Sequence, residues 1–257
     1  MIKWSFSRIS TFIKCPYKYY LKYIRKIYLY TPNNAFVVGN AFGEFVEAWS
    51  KDKNLSLRDC LRIYIKCCIK HKYKDDFKEL KYLSYLVKQF YQQDQRIEPM
   101  QVDGKAAVEY KIMFKVIDEI FKGDIDIIAS DEGVLDYKTS KNLYTLDDLK
   151  PTSDKGLQLY IYALGYLLKF KKMPKYVGFV VIIKDNPIHV QTITRPVTMA
   201  DLIKAKKYLE KILMKIFNAK SFKKEICGLC DYCEYLDTHC EGRPYNRRTY
   251  HREIKEL

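Results

Sequence analysis

The 257-residue sequence predicts an α/β (α+β) fold in which helices cover a β-sheet. Up to about residue 95, apolar residues recur at helical spacing. From residue 106 the period falls to two, and it does so again after residue 175. Two long helical patterns, 154–170 and 198–218, separate and follow the strands.

The elements follow in order. "SFSRISTFIKCPYKYYLKYI" (5–24) reads as two short helices, with Ser7 and Ser10 as N-caps and Pro16 opening the second. "GNAFGEFVEAWS" (39–50) sets Phe42, Phe45, Val46 and Trp49 on one helical stripe. Residues 56–74 and 77–93 are further amphipathic helices, and Cys60, Cys67 and Cys68 in the first of these read as small core residues. "AAVEYKIMFKVI" (106–117), "GDIDIIA" (123–129) and "GVLDYKT" (133–139) read as three consecutive strands. A helix over 154–170 leads to strands over 175–184 and 189–195, and Thr198 caps the helix that ends at 218. With no repeats, low-complexity linker or composition break, the chain reads as one domain, 1–257. It has a helical N-terminal part (1–95), a core of strands and helices (106–218) and a Cys-rich tail (221–257).

Composition narrows the function. Hydrophobic residues make up 48% of the chain, enough for a sizeable core, which argues against disorder. Lys and Arg outnumber Asp and Glu by 46 to 31, a formal charge of +15, which favours an anionic partner such as nucleic acid over a merely solvated basic surface. Many of the 23 tyrosines sit beside lysines, as in "CPYKYYLKYIRKIYLY" (15–30). Such a stretch either stacks bases over a phosphate-tracking groove or forms an ordinary helix with snorkelling lysines. Lys3, Ser5, Ser7 and Arg8 interrupt any signal-peptide pattern, and no run is long enough for a membrane span, so a cytoplasmic protein without membrane association is expected. In that setting the eight cysteines point to metal rather than to disulfides.

Charges within apolar strands are costly, so Asp126, Asp136 and Lys138 require a reason. Alternation puts Val134, Asp136 and Lys138 on one strand face, and Asp124, Asp126 and Ile128 on one face of the preceding strand. If Ile128 pairs with Val134, Asp126 lies opposite Asp136, with Cβ atoms about 5 Å apart. Two carboxylates at that separation hold a hard cation such as Mg²⁺ or Mn²⁺ and leave sites open for water and a phosphate. Lys138 would stabilise charge on that phosphate or position the water. The competing reading is a cross-strand ion pair between Asp124 and Lys138.

Gly123-Asp124-Ile125-Asp126, Asp136-Tyr137-Lys138-Thr139 and Gln158-xxx-Tyr162, in that order, resemble the motifs of PD-(D/E)xK superfamily nucleases of the RecB exonuclease type. "SFSRISTFIKCPYKYYLKY" is similar to the family's N-terminal Ser-x-x-x-Cys-Pro signature, so the resemblance spans residues 5–240. It implies a restriction-endonuclease-like catalytic core: a central mixed β-sheet flanked by helices. It also implies metal binding at Asp126 and Asp136, a catalytic role for Lys138, and DNA contact by Gln158 and Tyr162. The family often carries Gly-xxx-His-xxx-Glu on an N-terminal helix, with His as a metal ligand. Here Gly39 is followed by Gly43 in the His position and then by Glu47, so Glu47, or Glu44, is the candidate third ligand.

Cys227, Cys230, Cys233 and Cys240 crowd into 14 residues, a spacing that points to zinc or iron–sulfur. Either the four close a Zn²⁺ site among themselves, or Cys15 joins three of them. The second arrangement resembles the iron–sulfur nucleases of the superfamily, the AddB nuclease domain and the CRISPR-associated RecB-like nucleases, and implies a structural [4Fe–4S] cluster with Cys227 or Cys233 spare.

The expected function is a Mg/Mn-dependent deoxyribonuclease, an exonuclease on single-stranded DNA ends in recombination, repair or CRISPR adaptation, with protein partners from those assemblies. The alternatives are a weakly catalytic nuclease-like DNA-binding module of a recombination assembly and a zinc-ribbon-like structural protein. The latter leaves the 123–140 pattern unexplained.

Overall fold

The computed structural model describes residues 3–29, 34–70, 77–92, 96–184, 188–226, 230 and 233–240. The chain opens with a two-residue strand, β1 (Lys3–Trp4), then α1 (Phe6–Lys14) and α2 (Pro16–Tyr19), which runs on into a π-turn over Tyr20–Ile24. Ser5, not Ser7 or Ser10, caps α1: its backbone is still extended from β1, and its hydroxyl accepts the Arg8 N–H at 3.3 Å. Ser7 and Ser10 lie inside the helix. Cys15 caps α2 by accepting the Lys18 N–H on sulfur, and Pro16 occupies the first turn, where no donor is missed.

Three helices follow: α3 (Asn34–Lys51), α4 (Leu57–Lys70) and α5 (Phe77–Gln92). After a small hairpin, β2 (Gln101–Val102) and β3 (Lys105–Ala106), come β4 (Val108–Val116), β5 (Glu119–Ile128) and β6 (Gly133–Ser140). Helix α6 (Gly156–Phe170) then crosses to β7 (Tyr176–Ile183), which pairs parallel with β6, so the two strands and α6 form a β–α–β crossover. Strand β8 (His189–Pro196), α7 (Met199–Phe217) and a one-turn α8 (Leu236–His239) complete the fold. Thr198 caps α7 in a reciprocal box with Asp201.

The mixed sheet runs β1-β5-β6-β7-β8, with β4 on the other edge of β5. Its main core lies against α6, α7 and α1, around Phe121, Val134, Leu157, Phe179 and Leu209. A second core lies under α3, α4 and α5, where Phe42, Phe45, Trp49 and Phe90 meet Val180 and Ile182 of β7. Strand β7 is thus covered on both faces and reads as an unbroken apolar run. Cys60, Cys67 and Cys68 are buried in the second core, as small core residues should be. Among the described residues no helix is long and apolar enough to cross a membrane.

Candidate active site

The pairing of β5 decides where the site forms. Strand β4 follows one edge of β5 from Val108 opposite Ile127 to Val116 opposite Glu119. The other edge is shared: β1 pairs at Ile120 and Phe121, and β6 pairs at Ile127 and Ile128. Between them, residues 122–126 have no strand partner on that edge among the described residues. The sheet forks there.

The register at the fork is Ile128 opposite Val134 and Ile127 opposite Leu135. One step further, Asp126 and Asp136 should face each other, but the ladder ends. The Asp126 carboxylate takes the place of a backbone partner, with its Oδ2 accepting the Tyr137 N–H at 2.8 Å. The side chain is therefore held by the strand it would otherwise pair with.

Asp136 is fully buried. Neither of its oxygens has a well-formed hydrogen bond, and its charge is met by Lys138 Nζ, in contact with Oδ2. Lys138 therefore pairs with Asp136 of its own strand and not with Asp124, which instead lies in the sheet opposite Lys111 of β4. Burial, and then the charge of Asp136, push the Asp126 carboxyl well above its usual range, with Lys138 and the Tyr137 N–H offsetting only part. Burial also raises Asp136 against the pull of Lys138. For Lys138, burial opposes the charge, but Asp136 and Asp126 outweigh it and keep the ammonium protonated.

Helix α6 closes the fork. Gln158 Nε2 donates to the Tyr162 hydroxyl at 3.3 Å, and both side chains line a cavity of about 730 Å³ with Asp124 and Asp126. Lys111, Lys122, Ser5 and Ser7 line the same cavity. Gly123 makes the approach of α6 possible: a Cβ at this position would lie 2.6 Å from the Tyr162 ring. The glycine of the Gly-Asp-Ile-Asp stretch thus provides room for an aromatic ring beside the carboxylates.

The helical candidates behave differently. Glu44 faces α4, where its carboxylate accepts from Cys67 Sγ at 2.8 Å and from Lys70 Nζ at 3.1 Å. Glu47 is held by Lys51 one turn on, at 2.5 Å, and its field reaches Glu109 on β4. Glu109 itself was not foreseen: it lines the cavity with Asp126, and burial and then Glu47 raise its proton affinity. It has φ = 49°, a left-handed conformation that costs a non-glycine residue roughly 1–3 kcal/mol. Its signal in the sequence is only a single acid inside an alternating strand.

The N-terminal and C-terminal segments meet away from the fork. Tyr17 OH donates to the His239 carbonyl at 3.1 Å, Lys18 pairs with Glu234 at 2.5 Å, and Tyr235 OH donates to the Ile27 carbonyl at 2.5 Å. These contacts bring the α2 cap, Cys15, to the segment that carries Cys233 and Cys240. Cys230 donates to the Glu225 carbonyl at 3.7 Å. Cys227 lies outside the described residues. Among the described residues no three His, Cys, Asp or Glu side chains already converge at metal-binding separation, in the tail or at the fork.

The model of the PD-(D/E)XK nuclease superfamily matches residues 3–238, and the chain belongs to that superfamily. No curated protein sequence matches it. Among solved structures, a candidate exonuclease from Eubacterium rectale superposes with a TM-score of 0.60 at 12% identity, covering 96% of this chain and 92% of that one. This likeness bears on the fold alone. SSO0001 aligns over 90% of this chain and 96% of its own at 16% identity, with a TM-score of 0.34 that carries no argument.

Two predictions follow from the geometry. Gly123→Ala should displace Tyr162 and lower nucleic-acid cleavage by roughly tenfold to a hundredfold, the cost of a misplaced site group, with little change in melting temperature. Unchanged cleavage would mean that the ring position is irrelevant. The second concerns stability. Raised carboxyl pKa values mean that the folded state binds more protons than the unfolded one, so stability in chelator falls as pH rises above the ordinary carboxylate range. Asp126→Asn retains the acceptor for Tyr137 and removes one buried charge. It should flatten that decline and raise the melting temperature in EDTA at neutral pH. A lowered melting temperature there would contradict the assignment of a repulsive pair.

Proposed function

We propose that the protein is a divalent-metal-dependent deoxyribonuclease that degrades single-stranded DNA from its ends, the processing step common to recombination, repair and CRISPR spacer acquisition. The observation that carries this reading is Asp136: a fully buried carboxylate whose one polar partner is the Lys138 ammonium, beside a second carboxylate. Such an arrangement is unfavourable for the fold alone, and it fits a hard cation between Asp126 and Asp136. Bound there, Mg²⁺ or Mn²⁺ would polarise a phosphate and favour ionisation of water.

The chain supplies the rest. The Tyr137 N–H fixes one Asp126 oxygen and leaves the other for a ligand. Lys138, kept charged by its acidic neighbours, holds positive charge where a phosphodiester gains negative charge on attack by water, and the departing 3′-oxygen takes a proton from solvent. Gln158 and Tyr162 present an amide and a ring on the cavity wall, suited to the sugar and base of a single strand. Lys111 and Lys122 supply countercharge along the rim for the backbone phosphates. The buried Asp136–Lys138 pair favours an enzyme over a DNA-binding module, because binding alone needs neither charge inside the sheet.

The second element of the proposal is a [4Fe–4S] cluster held by Cys15 and three of Cys227, Cys230, Cys233 and Cys240. It is supported by a thiol-rich donor set and by the Tyr17, Lys18 and Tyr235 tethers that draw the two segments together. Its role is structural, a staple between the α2 cap and the tail.

End-labelled single-stranded DNA incubated with Mn²⁺ tests the activity. Wild type should shorten the strand from one end, and Asp136→Ala and Lys138→Ala should each lose about a hundredfold or more in rate while retaining DNA binding. Cleavage that survives Asp136→Ala would refute the site. Iron, sulfide and zinc analysis of anaerobically purified protein tests the cluster. Iron with sulfide, reduced by Cys15→Ser, is expected. One zinc, unaffected by Cys15→Ser, would place a self-contained zinc site in the tail.

A further inference from the structure

Deepening the nuclease reading, and resting on it, we propose that Glu109 is the third metal-binding carboxylate of the site, completing a row with Asp126 and Asp136 across three adjacent strands. The register supplies the row. Val108 pairs with Ile127, and Ile127 with Leu135. One step further along each strand stand Glu109, Asp126 and Asp136.

The backbone is shaped around this row. Ladder pairs are formed on either side, Val108 with Ile127 and Tyr110 with Ile125, but not between Glu109 and Asp126. Residues two apart on a strand should share a face. Here Ile125 belongs to the main core and Ile127 to a small separate cluster, and Val108 likewise leaves the face kept by Ile112 and Phe114. The alternation of both strands therefore breaks at Glu109 and Asp126, where Glu109 has its positive φ. The break leaves Glu109 and Asp126 lining one cavity with Gln158 and Tyr162.

The charges call for a cation. Glu109 makes no hydrogen bond or ion pair among the described residues. The nearby Glu47 and Lys51 satisfy each other. Among the described residues Lys138 is paired with Asp136, and no ion pair joins Lys111 or Lys122 of the cavity wall to Asp126 or Glu109. Independently of the row, Oδ1 of the fully buried Asp136 has no polar partner among the described residues, and Oδ2 has only the Lys138 ammonium. Glu109 has two methylenes and no tether, so rotation of its side chain brings a third oxygen ligand to the pair.

The test is Mn²⁺ binding to the full-length protein, measured by titration calorimetry and by the Mn²⁺ electron paramagnetic resonance signal, without DNA. Glu109→Gln should weaken Mn²⁺ binding at least tenfold while its melting temperature in EDTA is equal to or above that of wild type. Asp126→Asn should remove binding. If Asp126→Asn removes binding and Glu109→Gln stays within twofold of wild type, or if Glu47→Gln carries the loss instead, the Glu109 proposal is wrong and the nuclease reading stands. If wild type binds no Mn²⁺, or binds it independently of Asp126, the reading of the site fails as well. Should Glu109→Gln not fold, Glu109→Asp is judged by the same tenfold criterion.

Discussion

Two carboxylates, one of them fully buried, face a single ammonium at the fork of the sheet, and the surrounding structure exists in a form that tolerates this. Removing a charge from water costs several kcal/mol even after relaxation, and one ion pair does not offset two buried acids. Such a group persists only where the backbone leaves it no alternative. Asp126 is held by the Tyr137 N–H, and Asp136 is held by a strand hydrogen-bonded along its whole length to β7. The fork makes both possible. A continuous ladder between β5 and β6 would have used the Tyr137 N–H for a carbonyl and closed the opening in which a phosphate could sit.

The two cores keep the fork rigid from opposite sides. Helix α6 is buried nearly all round and is fixed by the crossover from β6 to β7, so the positions of Gln158 and Tyr162 follow from the packing of its neighbours. The three-helix cover packs on the other face, where Tyr137 meets Phe90 at a ring separation of 6.2 Å. Residues 136 and 138 thus serve the acid site, while Tyr137 between them packs into the second core. A site on rigid strands keeps its geometry better than one on loops, and here the strand that carries the chemistry is held by the most enclosed strand of the sheet.

The N-terminal helices are anchored by a seam of aromatic contacts. Arg8 stacks over Trp4, Tyr19 and Tyr23, with centroid distances of 5.1, 5.7 and 4.8 Å, tying β1 to α2 and its π-turn. Phe222 stacks on Tyr20 at 5.2 Å, and the tail contacts continue the same seam. The tyrosine-rich stretch therefore contains structural rings: Tyr19 is buried, and Tyr17 and Tyr20 are engaged with each other, with the tail and with Phe222. The end of α1 beside Ser5 and Ser7 remains at the cavity, so the same segment anchors the termini and borders the site.

The sequence by itself determined the element order, the mixed sheet between helices, the pairing of Ile128 with Val134, and the gathering of Asp126, Asp136, Lys138, Gln158 and Tyr162. The element order, the register and the approach of Asp126, Asp136 and Lys138 rest on periodicity, which is local, whereas the mixed sheet and the place of Gln158 and Tyr162 beside them were implied by the family resemblance. It misplaced the first helix cap, because Ser5, Ser7 and Ser10 are equally good capping residues and only the end of β1 decides among them. It favoured Glu47 over Glu44 only by motif position, whereas α3 turns Glu44 toward Cys67 and Lys70 and sets Glu47 beside Lys51, with its field reaching Glu109 of the sheet. The end of the ladder at Asp126, the partner of Lys138 and the presence of Glu109 were decided only by the tertiary structure. Each depends on how β1, β4 and β6 share the edges of β5, and on a left-handed residue that reverses the alternation. Neither leaves a trace in a pattern that counts residues along one strand.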